Sequence, residues 1–381
     1  MSEFKTTSDY SLVSIILPKL TGEPVVQSLG KNGARHILQS TSRGSLLNEG
    51  GGFFSKMFPP PAPEQELFQL LVPKAKLGDV MQDAVDAGYL NRAGSGAIFA
   101  MPCQGEVQHT DAFPILTADG FGDAIGDSFA TDMEAIISIV EIGTGDNMAE
   151  AALSAGSSGP TITYGEGGGV RDKIQLLRLT KGPEKEIVIA VVEKGEADKV
   201  FADMARAGKI TEPGRGFMYT TPVNRGLINV STSFSGAAGA SLDQIIGAID
   251  EMKGGRDWRS NAPAAATDSS KSGGKTPLLT DLTELVGLFC LVHRDHYYPT
   301  IYDAILDAGA GGVSVVFGTL RDPTAPADAA NEEWASVQTS IAPAALDKVR
   351  DAIKDTVQRE GIDSACLFTY NIEKAATYIP G

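Results

Sequence analysis

The sequence predicts an α+β chain made of three successive strand–helix–strand–strand–helix–strand units. Two observations carry this expectation. Apolar runs of strand length alternate with segments of helical periodicity, in that order, three times over. In addition, two of the stretches that lead from the last helix into the last strand align without gaps. AVDAG-YLNRAGSG-AIFAMP faces MARAG-KITEPGRG-FMYTTP, with a pair of glycines and a proline at the same offsets. The element order is the split-βαβ, or ferredoxin-like, order.

The first unit is expected over residues 10–107. Residues 11–18 (SLVSIILP) are a strand, and 23–33 a helix following Thr21, a residue type suited to the N-cap. Residues 35–47 read as a polar strand, and 48–64 (NEGGGFFSKMFPPPAPE) as a long Gly/Pro loop. ELFQLLV at 66–72 is a strand, 77–87 a helix closed by Gly88, and AIFAM at 97–101 the last strand. The second unit, 133–230, opens with EAIISIVEI and continues with a helix at 147–155. A strand at 161–164 enters the glycine cluster GEGGGVRDK, and a β-branched strand covers 186–192. The helix at 196–207 places Ala197, Val200, Phe201, Met204 and Ala205 on one face. Gly208 is expected to end it in the left-handed conformation, before a strand at 217–220. The third unit, 284–379, has strands at 284–292, 312–320, 335–341 and 363–370, with helices at 298–308 and 346–360. Its loop before the last strand is cut short. Residues 231–283 are a linker with an amphipathic helix, SLDQIIGAIDEM, and a stretch of disordered composition, SNAPAAATDSSKSGGKT.

The chain has 381 residues, and 42% of them are hydrophobic, enough for real cores. A net charge of −16 argues against nucleic acid as a partner, because a phosphate backbone needs a basic face. The three cysteines, Cys103, Cys290 and Cys366, lie far apart and fit a reducing cytoplasm better than a disulfide framework. No signal-peptide pattern opens the chain, and no apolar run reaches membrane-spanning length.

KITEPGRGFMYTTPV, with PEKEIVIAVVEKGEADKVF before it, resembles the nitrogen-regulatory PII signal-transduction family, above all its PII-like branch. PEQELFQLLV and GSGAIFAMP in the first unit resemble it too, and the third unit does so by pattern. The resemblance implies a ferredoxin-like fold that trimerises, with adenine nucleotides held between neighbouring subunits. It also implies a long loop that docks on a membrane transporter, channel or enzyme. Three copies in one chain then imply a monomeric chain that forms an internal pseudo-trimer. Its effector would be AMP, ADP or ATP, and its role regulatory rather than catalytic. The docking loop corresponds to residues 48–64, 165–182 and 321–333; the nucleotide loop corresponds to 208–216 and 88–96.

Five residues form the leading candidate ligand site: Gly208, Lys209, Gly214, Arg215 and Gly216. Glycines let a backbone approach a phosphate, and the two cations can add charge-assisted bonds. A plain helix-to-strand turn would carry the same residues. In the first unit Gly94, Ser95 and Gly96 have only Arg92 as a nearby cation. Arg43, Gly167, Gly168 and Arg171 are candidates for the opposite wall. The family's paired arginines after the last strand reduce here to Arg225, which favours a ligand with few phosphates. Phe53, Phe54, Met57 and Phe58 in the Gly/Pro loop are candidates for partner docking. His293, Asp295 and His296 do not complete a metal coordination set, and no catalytic constellation stands out. A ligand-free adaptor, or an enzyme built from residues that spacing does not link, are the alternatives.

Overall fold

The computed structural model describes residues 4–31, 33–34, 36–45, 63–108, 123, 129–169, 184–229, 284–323 and 332–378, with the backbone alone at 7–8, 169 and 295–299. Phe53, Phe54, Met57 and Phe58, Arg171, and the expected linker at 231–283 lie outside the described residues. Three passes follow one another. Pass one holds β1 (Lys5–Pro18), α1 (Glu23–Lys31), β2 (Ile37–Gly44), β3 (Glu64–Pro73), α2 (Leu77–Gly88) and β4 (Gly96–Val107). Pass two holds β5 (Met133–Glu141), α3 (Gly145–Ala155), β6 (Thr161–Gly169), β7 (Glu184–Glu193), α4 (Lys194–Ala207), β8 (Gly216–Val223) and β9 (Arg225–Asn229). Pass three holds β10 (Leu285–His293), α5 (Arg294–Asp307), β11 (Gly312–Arg321), β12 (Glu332–Ile341), α6 (Leu346–Arg359), β13 (Cys366–Ile372) and β14 (Lys374–Thr377). The mixed α and β character expected from the sequence is present, and all described strand pairings are antiparallel.

Within the passes the strands lie side by side as β4-β1-β3-β2, β8-β5-β7-β6 and β13-β10-β12-β11. Between passes the pairing is cyclic. β9 extends the last strand of pass two onto β4, β14 extends that of pass three onto β8, and the end of β4 pairs with β13. β2, β6 and β11 also pair with one another. The fourteen described strands therefore form one sheet.

Strand alternation divides the side chains between two kinds of core. Val13, Ile15 and Leu17 of β1 pack with α1 and α2, Ile136 and Val140 of β5 with α3 and α4, and Leu288, Cys290 and Val292 of β10 with α5 and α6. The opposite faces of all three passes contribute to a single shared cluster, with Ile16, Ile137, Phe289, Tyr219, Phe368 and Tyr370 among its members. Burial on both faces explains why these strands read as continuous apolar runs rather than alternating ones. Helix pairs are set close by glycine. A Cβ at Gly208 would lie 2.6 Å from Met148 Sδ, and one at Gly88 would lie 2.9 Å from Val25 Cγ2.

Two polar groups enter the shared core as a pair. The hydroxyls of Tyr219 and Tyr370 are 2.7 Å apart, and burial raises both above the usual tyrosine value, Tyr370 to about 12. Tyr219→Phe should therefore cost about 1–3 kcal/mol in denaturant unfolding, because it orphans the Tyr370 hydroxyl. Adding Tyr370→Phe should recover most of that loss. The three cysteines are free and buried, and burial raises each thiol, Cys103 to about 12. They are packing residues in this fold. No helix among the described residues is long and apolar enough to cross a membrane, and no described group of His, Cys, Asp and Glu could hold a metal ion.

Candidate functional site

The loops at 88–96 and 208–216 adopt the same backbone path. Tyr89 and Lys209 both sit at φ 52°, Gly94 and Gly214 at 80° and 74°, Gly96 and Gly216 at 131° and 145°. The internal bonds also match. Leu90 N donates to Val85 O at 2.9 Å and Ile210 N to Ala205 O at 3.0 Å, while Arg92 N donates to Tyr89 O at 3.0 Å and Glu212 N to Lys209 O at 2.9 Å. Leu90 and Ile210 plug each loop into the pass beneath it, fully buried. The shared glycine offsets therefore reflect a shared set of positive φ values. The expectation for Gly208 is corrected: it keeps right-handed geometry at φ −79°, and Lys209 takes the left-handed place. Glycine is required at 208 by the approach of Met148 rather than by chain reversal.

Each loop is covered by the tail of the next pass. Gly94 N donates to Asn229 O at 2.7 Å, and Asn229 Nδ2 returns a bond to Leu90 O at 2.6 Å. Ser95 Oγ donates to Arg92 O, and the Arg92 guanidinium lies 4.4 Å from the Tyr89 ring centre. The first loop thus has its Gly94 donor and its Ser95 hydroxyl engaged internally. On the second loop Thr377 Oγ1 donates to Gly216 O at 2.8 Å. Lys209 is exposed and makes no polar side-chain contact among the described residues. Among the described residues Arg215 meets only Glu212, at 3.3 Å, with both side chains well exposed. Such a surface pair contributes little and is readily exchanged for another anion.

The candidate opposite walls differ from expectation. Gly165 to Gly169 are not a loop start but the end of β6, with Gly167 opposite Ser314 and Gly168 opposite Val313 of β11. A Cβ at Gly165 would stand 2.4 Å from Val315 O, so the two backbones approach closer than a side chain allows. Arg43 is already committed. It donates to Tyr164 Oη at 2.8 Å, to Glu186 Oε1 at 3.0 Å and to Asp146. The other Glu186 oxygen accepts Gly143 N at 3.0 Å and Gly145 N at 2.7 Å, at the start of α3. Burial works against the Arg43 charge, but the bonds from Asp146 and Glu186 outweigh it and raise its pKa further. A protein carboxylate thus occupies the place where an anion would meet this helix N-terminus.

The junction of pass three with pass one repeats this clamp. Arg321 donates to Glu23 Oε2 and to Gln39 Oε1, both at 2.9 Å, and Gln39 donates to Glu66 Oε1 at 2.9 Å. Glu66 accepts Leu20 N at 3.2 Å. The junction of pass two with pass three departs from it. The third residue of β3 and of β7 is glutamate, Glu66 and Glu186; the third residue of β12 is Trp334. Trp334 is buried edge-on to His293, and the first residue of α5 is Arg294, which donates to Glu333 at 2.8 Å and lies over Phe317. No arginine–carboxylate clamp crosses this junction among the described residues. Arg225, the first residue of β9, is buried and paired with Asp123 at 2.7 Å.

Sequence reading could not find Glu186 and Asp146, since their partner Arg43 lies on a strand of another pass. The only local signal was glutamate at the same offset in PEQELFQLLV and PEKEIVIAVV.

No family model and no curated protein matches the chain. Among solved structures, it is similar to an unknown protein from Galdieria sulphuraria at 10% identity, over 64% of this chain and 99% of that one, with a TM-score of 0.19. A microcompartments protein from Desulfitobacterium hafniense DCB is similar at 13% identity, over 56% of this chain and 95% of that one, with a TM-score of 0.16. At those scores neither likeness carries an argument about fold or function.

Proposed function

We propose that the chain is a PII-like regulatory protein: three ferredoxin-like units joined as a single-chain pseudo-trimer that senses a small anionic ligand. The cyclic pairing of the tails carries this reading, β9 on β4, β14 on β8 and β4 on β13. Each unit lends its last strand to a neighbour, as separate subunits of a trimer would, and the fused chain does so at high effective concentration. The strand order within each pass also fits a split-βαβ unit.

The ligand cleft in this reading is the junction of passes two and three. The other two junctions are filled by Arg43 with Glu186 and by Arg321 with Glu23. The junction of passes two and three has instead the loop at 208–216, with exposed Lys209 and an exchangeable Arg215, facing the pass-three tail. An adenine nucleotide with few phosphates suits two cations. Ligand would shift the population of loop states, and a partner such as a transporter or enzyme would read the change. Phe53, Phe54, Met57 and Phe58 are the proposed contacts for that partner.

Lys209→Ala with Arg215→Ala should abolish the thermal shift produced by AMP, ADP or ATP without lowering the unliganded Tm. For the intact protein, ligand at 100 times its dissociation constant should add about 2.7 kcal/mol. Unchanged affinity in the double variant would remove this loop from the site. A second reading, a ligand-free adaptor, is favoured by the internal use of Arg43 and the Gly94 donor. A flat response of the intact protein to the whole nucleotide panel would select it.

A further inference from the structure

The tails that close the sheet are held in two different ways. Where β9 meets pass one, Asn224 N donates to Ala100 O at 2.8 Å and Asn224 Nδ2 donates to Ser11 Oγ at 3.2 Å. Where β14 meets pass two, Glu373 N donates to Thr220 O at 3.0 Å, and the Glu373 carboxyl group meets that of Glu134. One place in the architecture thus holds an amide and a hydroxyl in the first seam and two acids in the second. The first seam shows that closure itself does not need acids there.

Glu134 is buried on β5, with 7% of its surface exposed. Lys194, the first residue of α4, stands 3.9 Å from Glu134 and 3.6 Å from Glu373. Lys374, next in the chain, is turned away to Asp198 at 2.9 Å, and Thr220 offers only a hydroxyl. One ammonium balances one carboxylate. Two carboxylates in contact, one of them buried, resist ionising together.

We propose that the seam between pass two and β14 is a proton-operated latch, closed while Glu134 keeps its proton against Glu373 and loosened when that proton is lost. Burial first, then the neighbouring Glu373, holds Glu134 above the usual carboxylate range. A folded pKa above the unfolded one gives a contribution that is complete below the ordinary carboxylate pKa. It is lost as pH rises through the folded value. Opening would withdraw Thr377 from Gly216 O and so free one wall of the loop at 208–216. That last link rests on the proposed ligand site; the latch does not.

Amide hydrogen exchange on the full chain, followed from about pH 5 to about pH 8 and corrected for intrinsic rates, tests it. Protection in β14 should fall as pH rises, by at most about tenfold per pH unit for a one-proton linkage. Protection in β9 should not change. Glu134→Gln should flatten the β14 response, because its amide can donate to Glu373 as the protonated acid does. Glu373→Gln should do the same and serves if the first variant does not fold. A flat β14 profile in the unmodified protein, an unchanged slope in the glutamine variant, or an equal slope in β9 would each overturn the latch.

Discussion

Arg43→Ala should destabilise the protein by about 3 kcal/mol or more in urea unfolding. The cost arises less from the lost attraction than from what stays behind. Glu186 keeps 4% of its side-chain surface exposed, and without Arg43 its charge is met, among the described residues, only by the N–H groups of Gly143 and Gly145. Asp146, at 65% side-chain exposure, can turn to water and adds little. Adding Glu186→Gln should recover a large part of the loss, since glutamine still accepts from the helix start without carrying charge. A loss below about 1 kcal/mol would mean that water reaches Glu186 in the variant. Nucleotide response should survive, because the proposed ligand junction is a different one. The same substitution therefore separates the structural clamp from the ligand loop.

Gly96→Ala and Gly216→Ala should each cost about 2–6 kcal/mol, from backbone strain of about 1–3 and overpacking of similar size. Their φ values, 131° and 145°, are ones that side chains disfavour. An added Cβ would stand 2.0 Å from Ile16 O in one and 2.3 Å from Ile139 O in the other, and both atoms belong to central strands. The two losses should add, since the sites lie in different passes. Gly143→Ala is the contrast. It has φ 85° but no atom within 4 Å of the added Cβ, so only the left-handed strain of about 1–2 kcal/mol applies. Equal losses at Gly96 and Gly143 would show that φ alone, not the strand carbonyl, sets the requirement.

The sequence was legible where local chemistry decides structure. The glycine offsets shared by YLNRAGSG and KITEPGRG mark two loops that do follow one path. Helical periodicity placed Ala197, Val200, Phe201, Met204 and Ala205 on the buried face of α4, where they are. It was silent where the cause lies in another pass. Gly165, Gly167, Gly168 and Gly169 look like a loop because glycine weakens a strand locally; they are strand because they pair with β11, which at Gly165 comes too close for a Cβ. β9 and β14 are four or five residues long, and their partners lie in another pass. Arg43 and Glu186 are 143 residues apart, and nothing near either in sequence announces the other.

The cyclic pairing also sets a constraint on biosynthesis. β4 is made early, yet it waits for β9 at one end and for β13 at the other. The shared core waits in turn for Phe368 and Tyr370. The bond from Thr369 to Gln104 spans 265 residues, a high contact order that slows folding. Until β13 emerges, the nascent chain carries apolar strands with open edges, the form of a protein most prone to aggregate. A nascent chain that gains its stability abruptly, once the closing strands are free of the ribosome, is the expected kinetic counterpart of a ring that its last described strands complete.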